Sequence, residues 1–216
     1  VERDALHVMT QTQTQTEPKL FTFDEFIEWY PENSRLCYEL HKGVIIEMPP
    51  PTGKHEGVVG FLAAQITFQF LQMGLPYRIP KTAFVKTPGD DTTYSPDILV
   101  LNYDNVVNEL LWDKQSTVSL PASVPLVVEV VSTNWRDDYY DKFGDYEEMG
   151  IPEYWIVDYA ALGGRKFIGN PKQPTIFVCE LIDGEYQMTP FRGTDRMVSP
   201  TFPQLNLTAQ QIFDSV

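Results

Sequence analysis

Apolar residues recur at spacings of four, four, four and three over Val58, Leu62, Ile66, Phe70 and Met73, while Gln65, Gln69 and Gln72 mark another face. This is the 3.6-residue period of a long amphipathic helix. Upstream, Thr22 followed by Glu25 has capping-box spacing and predicts a short helix over Phe23–Tyr30. The runs Cys37–Leu40 and Val44–Met48, separated by His41-Lys42-Gly43, read as a hairpin. Tyr77–Val85, Ile98–Leu101 and Pro125–Val131 read as strands, and the last two are nearly continuous apolar segments of the kind buried on both faces. Between them, residues 102–122 carry no clear period; a loop with a short helix around Val106–Trp112 is expected. A second helix is predicted over Trp135–Met149, stopping at Gly150, followed by the strand Tyr154–Asp158. After Gly163-Gly164 the pattern shortens into antiparallel pieces: Lys166–Ile168, Thr175–Leu181, an Asp183-Gly184 turn and Glu185–Thr189. The tail, Leu207–Phe213, reads as a small helix. The order predicts an α/β fold, a mixed central sheet flanked by helices with C-terminal β-hairpins.

Length adds that 216 residues form one domain more naturally than two. Residues 1–19, with the polar repeat Gln11-Thr12-Gln13-Thr14-Gln15-Thr16, read as a flexible leader, and 20–216 as a single domain. No signal peptide or membrane span is visible, and Cys37 and Cys179 lie in apolar stretches as two expected buried free thiols. A cytoplasmic protein without a membrane partner is therefore expected. Sixteen basic against 30 acidic residues give a net charge of −14, which disfavours a broad phosphate-binding face. It leaves room for carboxylates that hold divalent cations, because the metal inverts the local field.

The chain has no phosphate-binding Gly-x-x-x-x-Gly-Lys loop, no Gly-x-Gly-x-x-Gly, no Cys-x-x-Cys and no Gly-x-Ser-x-Gly elbow. What remains is a set of oddly placed carboxylates. Asp97 opens the apolar run Ile98–Leu101, and Glu129 sits inside Leu126–Val131. A glutamate within a central apolar strand is expensive unless paired or bound to a cation. Two acids on neighbouring strand segments suit a hard divalent cation such as Mg²⁺ or Mn²⁺. The competing readings are a strand-start cap for Asp97 and a buried ion pair for Glu129.

Ser95-Pro96-Asp97 followed by Val128-Glu129-Val130-Val131-Ser132 resembles the Uma family of putative restriction endonucleases, within the PD-(D/E)xK nuclease superfamily. Tyr38-Glu39-Leu40 with Gly43 before Glu47-Met48, His55 after a Pro-rich turn, Lys142 with Tyr146 and Gly150, and Glu153–Asp158 match in the same order. The resemblance spans roughly Leu20–Phe213 and implies a restriction-endonuclease-like core, divalent-metal phosphodiester hydrolysis and a DNA partner. It implies Asp97 and Glu129 as metal ligands. Where the superfamily places its lysine, two residues after the second acid, this chain has Val131. Lys142 on the following helix is the expected substitute, whereas Arg136, six residues earlier, points about 240° away around the helix axis.

Glu39, His55 and Tyr146 are supporting candidates. Glu39 is a third acid or a structural carboxylate. His55 is placed to touch a phosphate or orient Glu39, or is a plain helix-start residue. Tyr146 shares the Lys142 face or is core. Asp138, four residues before Lys142, reads as its surface ion-pair partner. A non-catalytic nuclease-like binding or assembly module is the alternative function. A homodimer through the hairpins after Gly164 is a further expectation.

Overall fold

The computed structural model describes residues 19–216, so the repeat in the expected leader lies outside the described residues. Helix α1 (Phe23–Trp29) starts at Thr22, whose side chain accepts from Glu25 N while the Glu25 carboxylate accepts from Thr22 N; Phe23 and Phe26 are buried. Strands β1 (Cys37–His41) and β2 (Val44–Met48) form the expected hairpin. Lys42 and Gly43 have φ of 50° and 81°, the two positive values of a type I′ turn. Helix α2 (Gly53–Gln72) buries Val58, Leu62, Ile66 and Phe70.

The expected strand Tyr77–Val85 is two strands in two sheets: β3 (Tyr77–Arg78) and β4 (Phe84–Lys86). Pro80 between them lacks the N–H that would continue a ladder. Strands β5 (Thr93–Tyr94) and β6 (Ile98–Asn102) follow. The helix expected around Val106–Trp112 is instead two single turns on either side, α3 (Tyr103–Val106) and α4 (Trp112–Gln115), before β7 (Thr117–Val118). After β8 (Leu126–Val130) the chain is helical over residues 135–149, with a π turn at Asp137–Asp141 leading into α5 (Lys142–Met149). Gly150, at φ 84°, ends it. Strand β9 (Glu153–Asp158) comes next. The expected strand Lys166–Ile168 is a helical turn, α6 (Arg165–Ile168), whose Phe167 packs on Tyr139. Strands β10 (Thr175–Ile182) and β11 (Glu185–Phe191) and helix α7 (Ala209–Phe213) complete the chain.

Two mixed sheets result. The larger has the order β11-β10-β9-β8-β6-β3, with β8 and β9 parallel; the smaller runs β2-β1-β5-β4-β7. Strand alternation divides the core between the faces of the larger sheet. Leu126, Val128 and Val130 of β8 face α2 and α7. Val127 and Val131 face α5 and the smaller sheet, where Tyr146, Met149, Val85 and Tyr94 meet them. By the same period Glu129 belongs to the α5 side. Cys179 is buried, but Cys37 is exposed, contrary to expectation. It begins β1 at the open end of the hairpin, and only Glu39 and Leu40 of that strand are buried.

Candidate functional site

Four segments converge between the two sheets. Strand β6 runs antiparallel to β8 with Ile98 opposite Val128, so one step further Asp97 stands opposite Glu129. The Asp97 Oδ2 accepts from Val130 N at 2.7 Å, which ties the acid to the end of β8. Helix α5 contributes Lys142, whose Nζ lies 3.1 Å from Glu129 Oε1, and Tyr146, whose hydroxyl donates to the same oxygen at 3.0 Å. Strand β1 brings Glu39, 3.8 Å from Lys142 Nζ through Oε1; that oxygen also accepts from Ser95 N at 2.9 Å. Glu129, Lys142, Glu39 and Tyr146 are thus joined in one network, and Asp97 stands beside it, tied to the backbone of Val130.

His55 reaches it from the first turn of α2. Its Nε2 donates to Val130 O at 3.0 Å and lies 3.4 Å from Asp97 Oδ2. It does not orient Glu39; the histidine on Glu39 is His41, with Nε2 2.7 Å from Oε2 and its ring edge-on to Tyr94. His41 was not legible as a site residue from the sequence. Nor was Asp138 as a buried one: its Oδ1 is 3.5 Å from Lys142 Nζ, and the pair expected on the surface is inside, at 6% and 4% exposure. The signal was present in the spacing of Asp138, Lys142 and Tyr146, which repeats every four residues and marks one helix face.

The electrostatics follow from counting charges. Buried Glu39, Glu129 and Asp138 face a single buried ammonium. Burial works against the charge on Lys142, but Glu129, Glu39 and Asp138 outweigh it and hold the ammonium well above its ordinary range. Burial pushes Glu129 far up, against the pull of Lys142, and Asp97 and Asp138 add to the rise. Asp138 is pushed up to about 7 by burial, again opposed by Lys142. Burial also acts to raise Glu39, yet Lys142, His41 and Ser95 N keep it below its ordinary value. Burial thus favours the protonated form at both Glu129 and Asp138, and groups this close titrate together. At the edge, burial lowers His55 but Asp97 and Val130 O raise it to about 9.

Among the described residues no three His, Cys, Asp or Glu side chains are arranged to hold a metal ion. The donor set of the notional site is different: two carboxylates and one main-chain carbonyl. Asp97 Oδ2 and Val130 O already converge on one positively polarised atom, the Nε2–H of His55. All the available donors are hard oxygens in a region with surplus negative charge, which suits Mg²⁺ or Mn²⁺.

Two mixed sheets flanked by helices are consistent with a restriction-endonuclease-like core. The sequence matches the Uma2 family model, described as "Putative restriction endonuclease", over residues 23–210, and the chain belongs to that family. Its fold is similar to that of a putative nuclease from Anabaena variabilis, with TM-score 0.68 and 20% identity over 90% of this chain and 98% of that one. No curated protein matches the sequence. No helix among the described residues is long and apolar enough to cross a membrane.

Proposed function

We propose that this protein is a divalent-metal-dependent endonuclease that hydrolyses DNA phosphodiester bonds. The carrying observation is the 3.1 Å approach of Lys142 Nζ to Glu129 Oε1. It supplies from α5 the ammonium that Val131 cannot supply from β8. Asp97, Glu129 and Val130 O would hold Mg²⁺ or Mn²⁺, which when bound polarises water and offsets charge on the scissile phosphate. Lys142 stabilises negative charge that develops at the phosphate. Glu39 and Asp138 fix the direction of that ammonium, Tyr146 holds the Glu129 oxygen it faces, and His55 holds the strand end through Val130 O. The free thiols of Cys37 and Cys179 support a reducing, cytoplasmic setting.

The second reading is a nuclease-like module that binds or assembles without cutting. It is favoured by the depth of the site, where Glu129 and Lys142 are only 2% and 4% exposed. Incubation of supercoiled plasmid with the purified protein separates the two. Nicking or linearisation that needs Mg²⁺ or Mn²⁺, stops in EDTA and is lost in Asp97→Asn supports the enzyme. Intact plasmid with either metal rejects it in favour of the non-cutting module.

A further inference from the structure

The helical turn at residues 135–140 and α6 present a second surface, opposite in character to the rest of the chain. Arg136, Arg165 and Lys166 are exposed, and among the described residues none of them forms an ion pair. Arg136 and Lys166 lie against rings instead. The Arg136 guanidinium is 4.6 Å from the Trp135 ring centre, and Lys166 Nζ is 4.6 Å and 4.8 Å from those of Tyr140 and Phe167. Tyr140 is 44% exposed and links the other two rings, at centroid distances of 6.3 Å to Trp135 and 5.6 Å to Phe167. Gly164 lets the α6 turn seat closely here, since a Cβ at that position would meet Trp135 at 3.0 Å. In a chain of net charge −14 this is a concentrated patch of unpaired cations interleaved with aromatic faces.

Its place is as telling as its composition. Arg136 lines an open cleft of about 240 Å³ with Thr133, Asn134 and Asp137, immediately after the end of β8. Asp138, the next residue, is inside the carboxylate–lysine network. The same turn of helix thus sends Asp138 and Lys142 inward and Arg136 and Tyr140 outward.

We propose that the face formed by Trp135, Arg136, Tyr140, Arg165, Lys166 and Phe167 binds a nucleic-acid strand with unpaired bases. Cations take the phosphates while the exposed Tyr140 ring and the guanidinium plane stack on bases, a combination that tolerates any sequence. A duplex offers its phosphates but hides its base faces in the stack, so the rings favour a single strand. An acidic peptide would use the cations and leave the rings idle. The proposal deepens the nuclease reading by saying how the substrate approaches, and its test does not depend on cleavage.

The test is fluorescence anisotropy of the full chain in EDTA at low salt. The probe is a labelled oligothymidylate of about 16 nucleotides, the upper end of known single-strand site sizes. A duplex of equal length and polyglutamate are the comparison ligands. The single strand is expected to bind more tightly than either. The double variant Arg136→Ala, Lys166→Ala should flatten the log affinity against log salt slope by about 1.4, or 0.7 for each cation. Tyr140→Ala should weaken binding at least about fivefold, the low end of base stacking on a ring, and Tyr140→Phe should restore it. No binding by the wild type, an unchanged salt slope in the double variant, tighter duplex binding, or equal binding of polyglutamate would each overturn the proposal. In Lys142→Ala, held at about pH 5 where it is folded, retained oligothymidylate binding supports a face separate from the catalytic network and lost binding overturns it, whatever happens to Mg²⁺-dependent nicking.

Discussion

Lys142 and Glu129 reach each other from different elements, the start of α5 and the middle of β8, with Nζ and Oε1 3.1 Å apart and both side chains almost wholly buried. Neither could be buried alone. The ion pair is completed by Tyr146 on the same carboxylate oxygen and by Asp138 and Glu39 around the ammonium. Removing the ammonium costs more than the pair itself contributes, because the carboxylates around it lose their buried cation, whereas Lys142 without Glu129 still has Glu39 and Asp138.

That asymmetry governs Lys142→Ala. Its removal leaves Glu39, Glu129 and Asp138 together without a buried cation, and a cost of about 3–5 kcal/mol is expected at alkaline pH. The acids can escape by taking up protons, so the loss should shrink towards about pH 5. Urea unfolding of both proteins at the two pH values measures it. A pH-independent loss would show that Lys142 matters here for packing and not for charge. At the acidic end, where the variant is folded, Mg²⁺-dependent nicking should still fall by about two orders of magnitude or more, the scale of one electrostatic stabiliser.

Glu129→Gln tests the other partner. Burial holds this carboxyl far above its ordinary range, so the neutral amide resembles the form it favours, and its oxygen still accepts from Tyr146. Metal-free stability should change by no more than about 1 kcal/mol, the net value of an ordinary hydrogen bond, while cleavage disappears. A loss several times larger would make Glu129 a structural hub whose charge the fold requires.

Divalent metal supplies a third prediction. A cation that binds only the folded chain raises the melting temperature by mass action. Mg²⁺ or Mn²⁺ should therefore stabilise the wild type, and Asp97→Asn should remove that increment. The increment should also grow as pH rises through about 7, because loss of the Asp138 proton adds negative charge beside the site. Differential scanning fluorimetry across that range decides it; an equal shift in Asp97→Asn would place the metal elsewhere.

Periodicity made the long helix, the hairpin and the two central strands legible, because each has a face buried along its whole length. It misassigned short elements. Tyr77–Val85 looks like one strand because its apolar content is continuous, although β3 and β4 belong to different sheets. Phe167 gives the Lys166–Ile168 run a strand-like appearance, yet its ring is used to cover Tyr139 from a helical turn. For the site, the acids were conspicuous because charge inside an apolar strand violates the local pattern. Asp138 was not: an acid four residues before a lysine is ordinary on a solvated helix, and only tertiary packing shows that this face is inward. His41 likewise depends on which residue β1 presents to Tyr94, a contact between elements that no local spacing encodes.

His55 offers a prediction in which stability alone is read. Folding raises its imidazole from the ordinary 6.5 to about 9: burial opposes the charge, and Asp97 and Val130 O more than restore it. A group raised on folding contributes stability fully below its unfolded value and loses that contribution as pH climbs through the folded one. The wild type in EDTA should therefore lose stability between about pH 7 and pH 9, and the comparison with a His55 variant isolates this part from that of Asp138, which is present in both. His55→Gln keeps a side-chain donor near Val130 O but has no proton to lose. Its urea midpoint should start lower at pH 7 and fall less steeply towards pH 9, so that the two curves approach each other. Parallel curves would mean that His55 is uncharged in the folded state, and that Asp97 is held by Val130 N alone.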